Sequence, residues 1–399
     1  MSACPSALTA APPTTNAPLL RAAWVVTAVF ILSSAATPLY GHWQQQLGFG
    51  AGTLATIFTC YILGLLATLL VAGQLSDHFG RKALLLPGLG LAMGAAVLFQ
   101  LAESVAVLML ARLLTGVAVG IIVSAGMANV VDQAADSHKR QASLLASVAM
   151  VLGAGTGPLL AGVLAQYSAH PVAIVFNLEL ALLALALWVV LAQPRQPRAT
   201  SALKLRLPRV PRDSVGHVLR GIAFFGPGIT CTSFVLSLGP GLFSAFAHVS
   251  SPLIAGGTAF AMFMVGVGVQ FAVQRLAVKR IFLLSGLATV LSMATLWLAV
   301  HQVSIPCLIV AALLAGAGQG LGQLGGLSLI ALHVPANRRA EANGVFNMGG
   351  YVPAGALPVV AGHLIDLHGM AVGVSVLAGL IAALALAALL SLGRTDRPR

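Results

Sequence analysis

Gly73-Gln74-Leu75-Ser76-Asp77-His78-Phe79-Gly80-Arg81-Lys82 joins two apolar stretches, 53–75 and 82–101, each long enough to cross a bilayer. The segment reads as a tight turn at a membrane face. Its glycines permit close backbone approach and positive φ. Asp77 can favour the positive end of a nearby helix. Arg81 can pair with an acid such as Asp132, at the end of the fourth apolar stretch. A basic anchor alone would explain Arg81 and Lys82 but not the Gly/Asp/Gly spacing.

Outward from this turn the chain repeats the same alternation of apolar run and short break. Twelve spans are predicted, over 22–43, 53–75, 82–101, 104–129, 141–165, 171–192, 217–246, 253–274, 280–300, 304–330, 340–365 and 370–392. Composition agrees: of 399 residues, 58% are hydrophobic and only 8% charged. A soluble domain carries about a quarter charged residues. Soluble, disordered and disulfide-scaffold classes are therefore excluded, and an all-α polytopic membrane protein remains, its backbone polar groups satisfied inside helices. Cys4, Cys60, Cys231 and Cys307 lie far apart with no metal spacing, and the histidines are scattered.

The net charge of +12 is a topology signal. Of the 21 Lys and Arg residues, every one but Arg112 falls at one set of alternating loops and ends. The opposite loops, around 44–52, 101–104, 166–170, 247–252, 301–304 and 366–369, hold none. The positive-inside rule then places both termini in the cytoplasm, in a cytoplasmic membrane of bacterial type. Attraction to anionic lipid heads is expected and a nucleic-acid partner is not. Residues 1–20 read as a disordered leader, 21–192 as one six-helix unit, 193–216 as a basic linker, 217–392 as a second unit and 393–399 as a tail.

The two units look duplicated. A shift of 200 residues lays Ala111, Leu113, Leu114, Gly116 and Gly120 on Ala311, Leu313, Leu314, Gly316 and Gly320. The same shift lays Lys139 on Arg339, and Pro158, Ala161 and Gly162 on Pro358, Ala361 and Gly362. Parallel six-span repeats with a site between them are a rocker-type transporter architecture.

The segment Gly73–Lys82 resembles the signature loop of the major facilitator superfamily, with Gly73, Asp77, Gly80, Arg81 and Lys82 on its fixed positions and His78 departing from them. The resemblance covers the whole chain. It implies that fold, with this loop and Asp132 serving conformational switching rather than substrate contact. The corresponding turn at Arg275–Arg280 has lost the pattern. Arg112, with Thr115, Gly116 and Gly120, is similar to the family's span-four motif, whose arginine is implicated in proton coupling; Thr115 replaces the usual glutamine. A cation at mid-bilayer costs at least about 2.5–3.5 kcal/mol on insertion scales, so Arg112 should face an inter-helix cavity and find a partner. The alternative is an arginine bonded to backbone carbonyls for packing alone.

Gly153, Gly157, Pro158 and Gly162 resemble the span-five motif of drug:proton antiporters, with one glycine replaced by Ala161; generic small-residue packing is the competing explanation. Glu179 is the one carboxylate well inside a span and is a second candidate for carrying a proton, the alternative being a neutral glutamic acid tied to Asn177. Span one has no acid, which counts against a dedicated exporter of cations. Family span numbering implies cavity candidates Thr37, Tyr40, Ser124, Thr230, Ser233, Gln319 and Gln323, with Tyr61, Gln270, Asn343, Asn347 and Tyr351 from neighbouring spans. Pro38, Gly226-Pro227-Gly228 and Gly239-Pro240-Gly241 mark spans one and seven as broken or flexible.

The expectation is a monomeric alternating-access transporter with no cofactor or metal, driven by a proton gradient and exporting small hydrophobic molecules. Uptake or exchange of a small polar or anionic metabolite is the second reading. A transport-incompetent sensor is the third, against which the preserved loop argues. No nucleophile–base pair or phosphate loop suggests an enzyme.

Overall fold

The computed structural model describes residues 17–135, 138–194, 210–247, 251–335 and 338–394. Among them are helices and no strand. Twelve helices are long and apolar enough to cross a bilayer. The first six are α1 (Ala17–Leu47), α2 (Ala51–Leu69), α3 (Arg81–Gln100), α4 (Val105–Asp132), α5 (Gln141–Tyr167) and α6 (Pro171–Ala192). The second six are α7 (Arg212–Phe246), α8 (Pro252–Val273), α9 (Val278–His301), α10 (Ile305–His333), α11 (Glu341–His368) and α12 (Met370–Leu392). They form two pseudo-symmetric six-helix bundles. Successive helices alternate in direction, which collects the basic turns at one end and leaves the other charge-poor.

The duplicated glycines do equivalent work in each bundle. A Cβ on Gly116 would lie 2.0 Å from the Tyr61 carbonyl oxygen, and one on Gly316 would lie 2.1 Å from that of Met262. Gly120 and Gly320 repeat the contact one turn further along, against α2 and α8. Without a hydrophobic driving force in lipid, such backbone approach is how membrane helices gain packing energy. The repeat in the sequence is thus a repeat of the α2–α4 and α8–α10 seams.

Several boundaries differ from those expected. Residues 17–20, assigned to the leader, already belong to α1; Pro18 lies in its first turn, where a missing N–H is harmless. Residues 1–16 and most of the linker, 195–209, lie outside the described residues. The linker's last residues are ordered as a short 3-10 turn, Arg212–Ser214, where the Ser214 hydroxyl donates to the His333 carbonyl. The α12 helix runs on to Arg394, and 395–399 lie outside the described residues. The expected turn at 73–82 is mostly helical, Ala72–Phe79, and is closed by Gly80.

The expectation for spans one and seven is half right. The α1 helix breaks after Ala35 into a 3-10 turn, Thr37–Leu39, and resumes over Tyr40–Leu47. By contrast, α7 runs unbroken from Val215 to Ala247 through Pro227 and Pro240. Glycines flank each proline, and the Thr230 and Ser244 hydroxyls donate back to the Gly226 and Pro240 carbonyls one turn earlier.

The bundles meet from the charge-poor end to mid-depth. At that end the Ser251 hydroxyl donates to Gln166, and Gly41 of α1 faces Ser244 of α7. At mid-depth the Thr59 hydroxyl donates to the Gly355 carbonyl. On the charge-poor side Tyr40, Trp43, Phe234 and Leu242 are fully buried between or beside the bundles. Further toward the basic end Tyr61, Gln319, Asn347 and Tyr351 are only half-buried.

Candidate functional site

The break in α1 organises the middle of the molecule. Arg112 of α4 is fully buried. Its Nε donates to the Tyr40 hydroxyl at 2.5 Å, and its Nη1 donates to the Ser33 carbonyl at 2.7 Å. These acceptors lie on opposite sides of the 3-10 turn, so one guanidinium staples the two segments of α1. Three rings enclose the cation, those of Tyr40, Phe99 and Phe58, at 5.1, 5.7 and 5.8 Å from the guanidinium carbon. Each such contact contributes about 0.5–2 kcal/mol when desolvated. Nη2 has no partner.

Arg112 does not open onto a cavity between the bundles, as expected from its cost; rings and a carbonyl of its own bundle meet that cost instead. The surroundings extend the aromatic set, since Phe99 stacks on Phe176 at 4.8 Å and on Trp43 at 5.7 Å.

From this cage the side chains lead across the seam. Phe58 lies 6.2 Å from Tyr61, ring to ring. Tyr61 belongs to α2, which packs across the bundles against α11, the helix of Tyr351. Tyr351 meets the Phe225 ring edge-on at 6.3 Å, and Phe225 stacks on Phe346 at 4.8 Å. Gly228 of α7 packs on the backbone of Gln319 in α10. The side chains of Tyr61, Gln319, Gln323, Asn343, Asn347 and Tyr351 make no hydrogen bond among the described residues, and the Asn343 Oδ1 is buried without one. Tyr61 and Tyr351 are uncommitted polar groups on α2 and α11, two helices that pack together across the bundles, beside the rings of Phe58 and Phe225.

Other expected members have different duties. Tyr40 serves Arg112, and Thr37 is buried at the α1 break with its hydroxyl unpartnered. Ser124 and Thr230 bond to carbonyls of their own helices. Ser124 lies in a π-helical turn, Ile122–Gly126, which widens α4 just past the glycine contact with α2. Ser233 is buried in α7, and Gln270 is half-buried near the basic end of α8. Sequence reasoning missed Phe58, Phe99 and Phe225. The available signal was helical spacing, because Phe58 lies one turn from Tyr61 on the same face.

The turn at the basic end is held as expected. Arg81 donates from Nη1 to Asp77 at 2.5 Å and to the Ser76 hydroxyl at 2.9 Å, and from Nε to Asp132 at 3.1 Å. Gly80 has φ +89°, which a side chain would resist, whereas Gly73 faces open space. Lys82 donates to the Leu191 and Gln193 carbonyls at 2.7 and 2.5 Å, so a cation caps the C-terminus of α6. Arg81 is 21% exposed but its acid partners Asp77 and Asp132 are 71% and 42% exposed, and ion pairs open to water in this way contribute only about 0–1 kcal/mol. Arg81→Ala is therefore expected to leave the melting temperature nearly unchanged while lowering transport about tenfold or more; equal rates for both proteins would remove the switching role.

The span-five residues divide between two partners. A Cβ on Gly153 or Gly157 would lie 2.5 or 2.3 Å from the Thr27 or Ile31 carbonyl of α1. A Cβ on Gly162 would lie 2.5 Å from the Pro252 carbonyl, and one on Gly256 of α8 would lie 2.1 Å from the Pro158 carbonyl. One motif thus packs α5 against the broken helix of its own bundle and across the seam. Glu179 is buried on α6 with Oε2 unpartnered, on a face shared with Phe176 and Leu183.

Comparison with known proteins agrees with this arrangement. The cephamycin export protein CmcT of Amycolatopsis lactamdurans is 27% identical over 245 residues, which cover 61% of this chain and 48% of that protein. The multidrug resistance protein MdtL of Escherichia coli O45:K1 is 31% identical over 120 residues, 30% of this chain and 29% of its own. Matches to the first curated relatives span between about a quarter and a half of their lengths. A bacterial homologue of the human lysosomal transporter Spinster, solved inward-facing and unoccupied, superposes with a TM-score of 0.72 at 14% identity, over 97% of this chain and 98% of that one. The family model of the Major Facilitator Superfamily matches residues 22–302 and 248–399. The chain, with its two bundles, uncommitted seam and clamped basic turn, belongs to the Major Facilitator Superfamily of transporters.

Proposed function

We propose that this protein is a monomeric, proton-coupled exporter of small hydrophobic molecules in the cytoplasmic membrane, with its basic end in the cytosol. The observation that carries this reading is the sealing of Arg112. Its guanidinium is fully buried behind Tyr40, Phe58 and Phe99, so the seam offers a solute rings, phenols and amides without a formal charge. An uncharged, largely apolar solute loses least on entering such walls. With the basic end cytosolic, the half-buried seam faces the side from which an exporter loads. The resemblance to export proteins such as CmcT and MdtL supports the same direction.

Proton coupling is assigned to Glu179, the one buried carboxylate among the described residues. An ionised carboxylate without partners is costly in an apolar core, so a proton there is retained or released as the surroundings change. The test is made in proteoliposomes, with hydrophobic compounds first chosen by thermal shift. Adding a bound compound is expected to move protons across the vesicle membrane. Glu179→Gln is expected to abolish that proton signal while leaving exchange of labelled for unlabelled compound within about twofold. Loss of both activities would make Glu179 structural.

The second reading, uptake or exchange of a polar or anionic metabolite, has one observation in its favour. The free Nη2 of Arg112 could hold an anion if Tyr40 moved aside. Proton movement driven by small carboxylates and not by hydrophobic compounds would decide for it.

A further inference from the structure

The charge-poor end contains a carboxylate with a specific geometry. Asp366, near the end of α11, accepts the Ala51 N–H on Oδ1 and the Gly52 N–H on Oδ2, both at 2.8 Å. These are the first two backbone donors of α2, which belongs to the other bundle. The first N–H groups of any helix lack partners within it and carry the positive end of its dipole. Most helices satisfy them with a nearby side chain. The α2 helix cannot, because its N-cap is Gly50 and its first turn holds no acid.

The surrounding packing reserves this place for Asp366. A Cβ on Gly50 would lie 2.6 Å from both carboxylate oxygens, one on Gly52 would lie 2.7 Å from the His363 ring, and one on Gly362 would lie 2.6 Å from the Ala51 carbonyl. Gly52 and Gly362 on the two helices, and Gly50 just before α2, leave room for the approach.

The pseudo-symmetric seam is built differently. The 200-residue shift carries Asp366 onto Gln166 and Ala51 onto Ser251. There α8 caps itself, with Ser251 Oγ accepting from the Ile254 N–H, and the contact across the seam is a neutral Ser251–Gln166 bond at 3.3 Å. One seam is therefore neutral and self-sufficient, whereas at the other a helix start is completed only when the bundles are together. A cavity of about 350 Å³, lined by Ala51, Leu54, Leu238, Leu242, Ile365 and Met370, lies directly beside this second seam.

We propose that Asp366 is a positioning residue for the transport cycle, a latch that holds the charge-poor gate shut by capping the N-terminus of α2 from the opposite bundle. Opening that end strips α2 of its cap, and closing restores it. Charge-assisted bonds are about twice as strong as neutral ones, and water at the exposed Asp366 weakens them. The latch therefore biases the gate without locking it.

The test measures the gate directly and needs neither a substrate nor a proton gradient, so its outcome is independent of the direction and coupling proposed above. Spin labels are placed at exposed Gln46 and Gln302, one on each bundle at this end, with the native cysteines replaced by alanine. Distances are read by electron–electron double resonance in lipid nanodiscs. Asp366→Asn is expected to raise the ratio of long to short distances on the order of tenfold. Ala51→Pro removes one latch donor while keeping a residue that suits a helix start, and is expected to shift the ratio in the same direction. The double variant should exceed neither single variant by much, because both break one contact. Unchanged distances in either properly inserted variant, or fully additive shifts, would overturn the proposal. If Asp366→Asn fails to insert, Ala51→Pro decides by itself.

Discussion

Arg112→Ala is expected to reduce transport about 100-fold or more while the protein still inserts in the membrane. The substitution removes the donor to the Ser33 carbonyl and to the Tyr40 hydroxyl. Each polar group left buried without a partner costs about 1–3 kcal/mol. The loss falls on the 3-10 turn at Thr37–Leu39, whose two flanking α segments are no longer tied to one side chain. Arg112→Lys should recover little. A lysine keeps the charge but lacks the planar fork that reaches two acceptors on either side of the break. Initial rates in proteoliposomes, read beside thermal unfolding of the same preparations, test the idea. Wild-type rates in the alanine variant would show that the staple is dispensable. A rate restored by lysine would show that charge, and not the two-point geometry, is what matters.

Gly256→Val is expected to arrest the cycle almost completely. A Cβ at this position falls 2.1 Å from the Pro158 carbonyl oxygen and 3.2 Å from the Gly162 Cα. The obstruction is backbone, which has no rotamer to change, so α8 must withdraw from α5 and the charge-poor end cannot close. The neighbouring Gly257 supplies the control, because a Cβ there meets nothing within 4 Å. Gly257→Val should transport within about twofold of wild type, as surface substitutions away from contacts are nearly neutral. Both variants add the same isopropyl group to the same apolar helix one residue apart. Any difference between them reports the seam and not hydrophobicity or helix propensity. Similar activity in the two would show that the α5–α8 contact is not needed for turnover.

Much of this architecture could be read along the chain. The spans, their number and the collection of cations at one end follow from the length and order of apolar runs. The register of Gly116 and Gly120 against Gly316 and Gly320 also anticipated two equivalent helix seams. At the basic turn, Arg81 finds Asp132 as its position suggested. Less could be read at the site. Arg112 was visible as a cation that needed partners, but not as a staple across a break within its own bundle. The polar residues expected to line a cavity divide into those bonded to their own backbone, such as Thr230 and Ser124, and those left free on the seam, such as Tyr61, Gln319 and Tyr351. Proline and glycine marked spans one and seven as broken or flexible; α1 is interrupted by a 3-10 turn, whereas α7 is continuous through both prolines.

The division has a physical cause. Hydropathy, span length and charge position act on each segment separately, because lipid and membrane potential see one helix at a time. The sequence by itself therefore determined the fold class, the repeat and which loops share a side. Rotation of each helix about its axis, and the closeness of its neighbours, depend on all the others at once. Only the tertiary structure could decide that Arg112 turns toward Ser33 and Tyr40, and that Asp366 reaches across 315 residues of sequence to the bare N-terminus of α2.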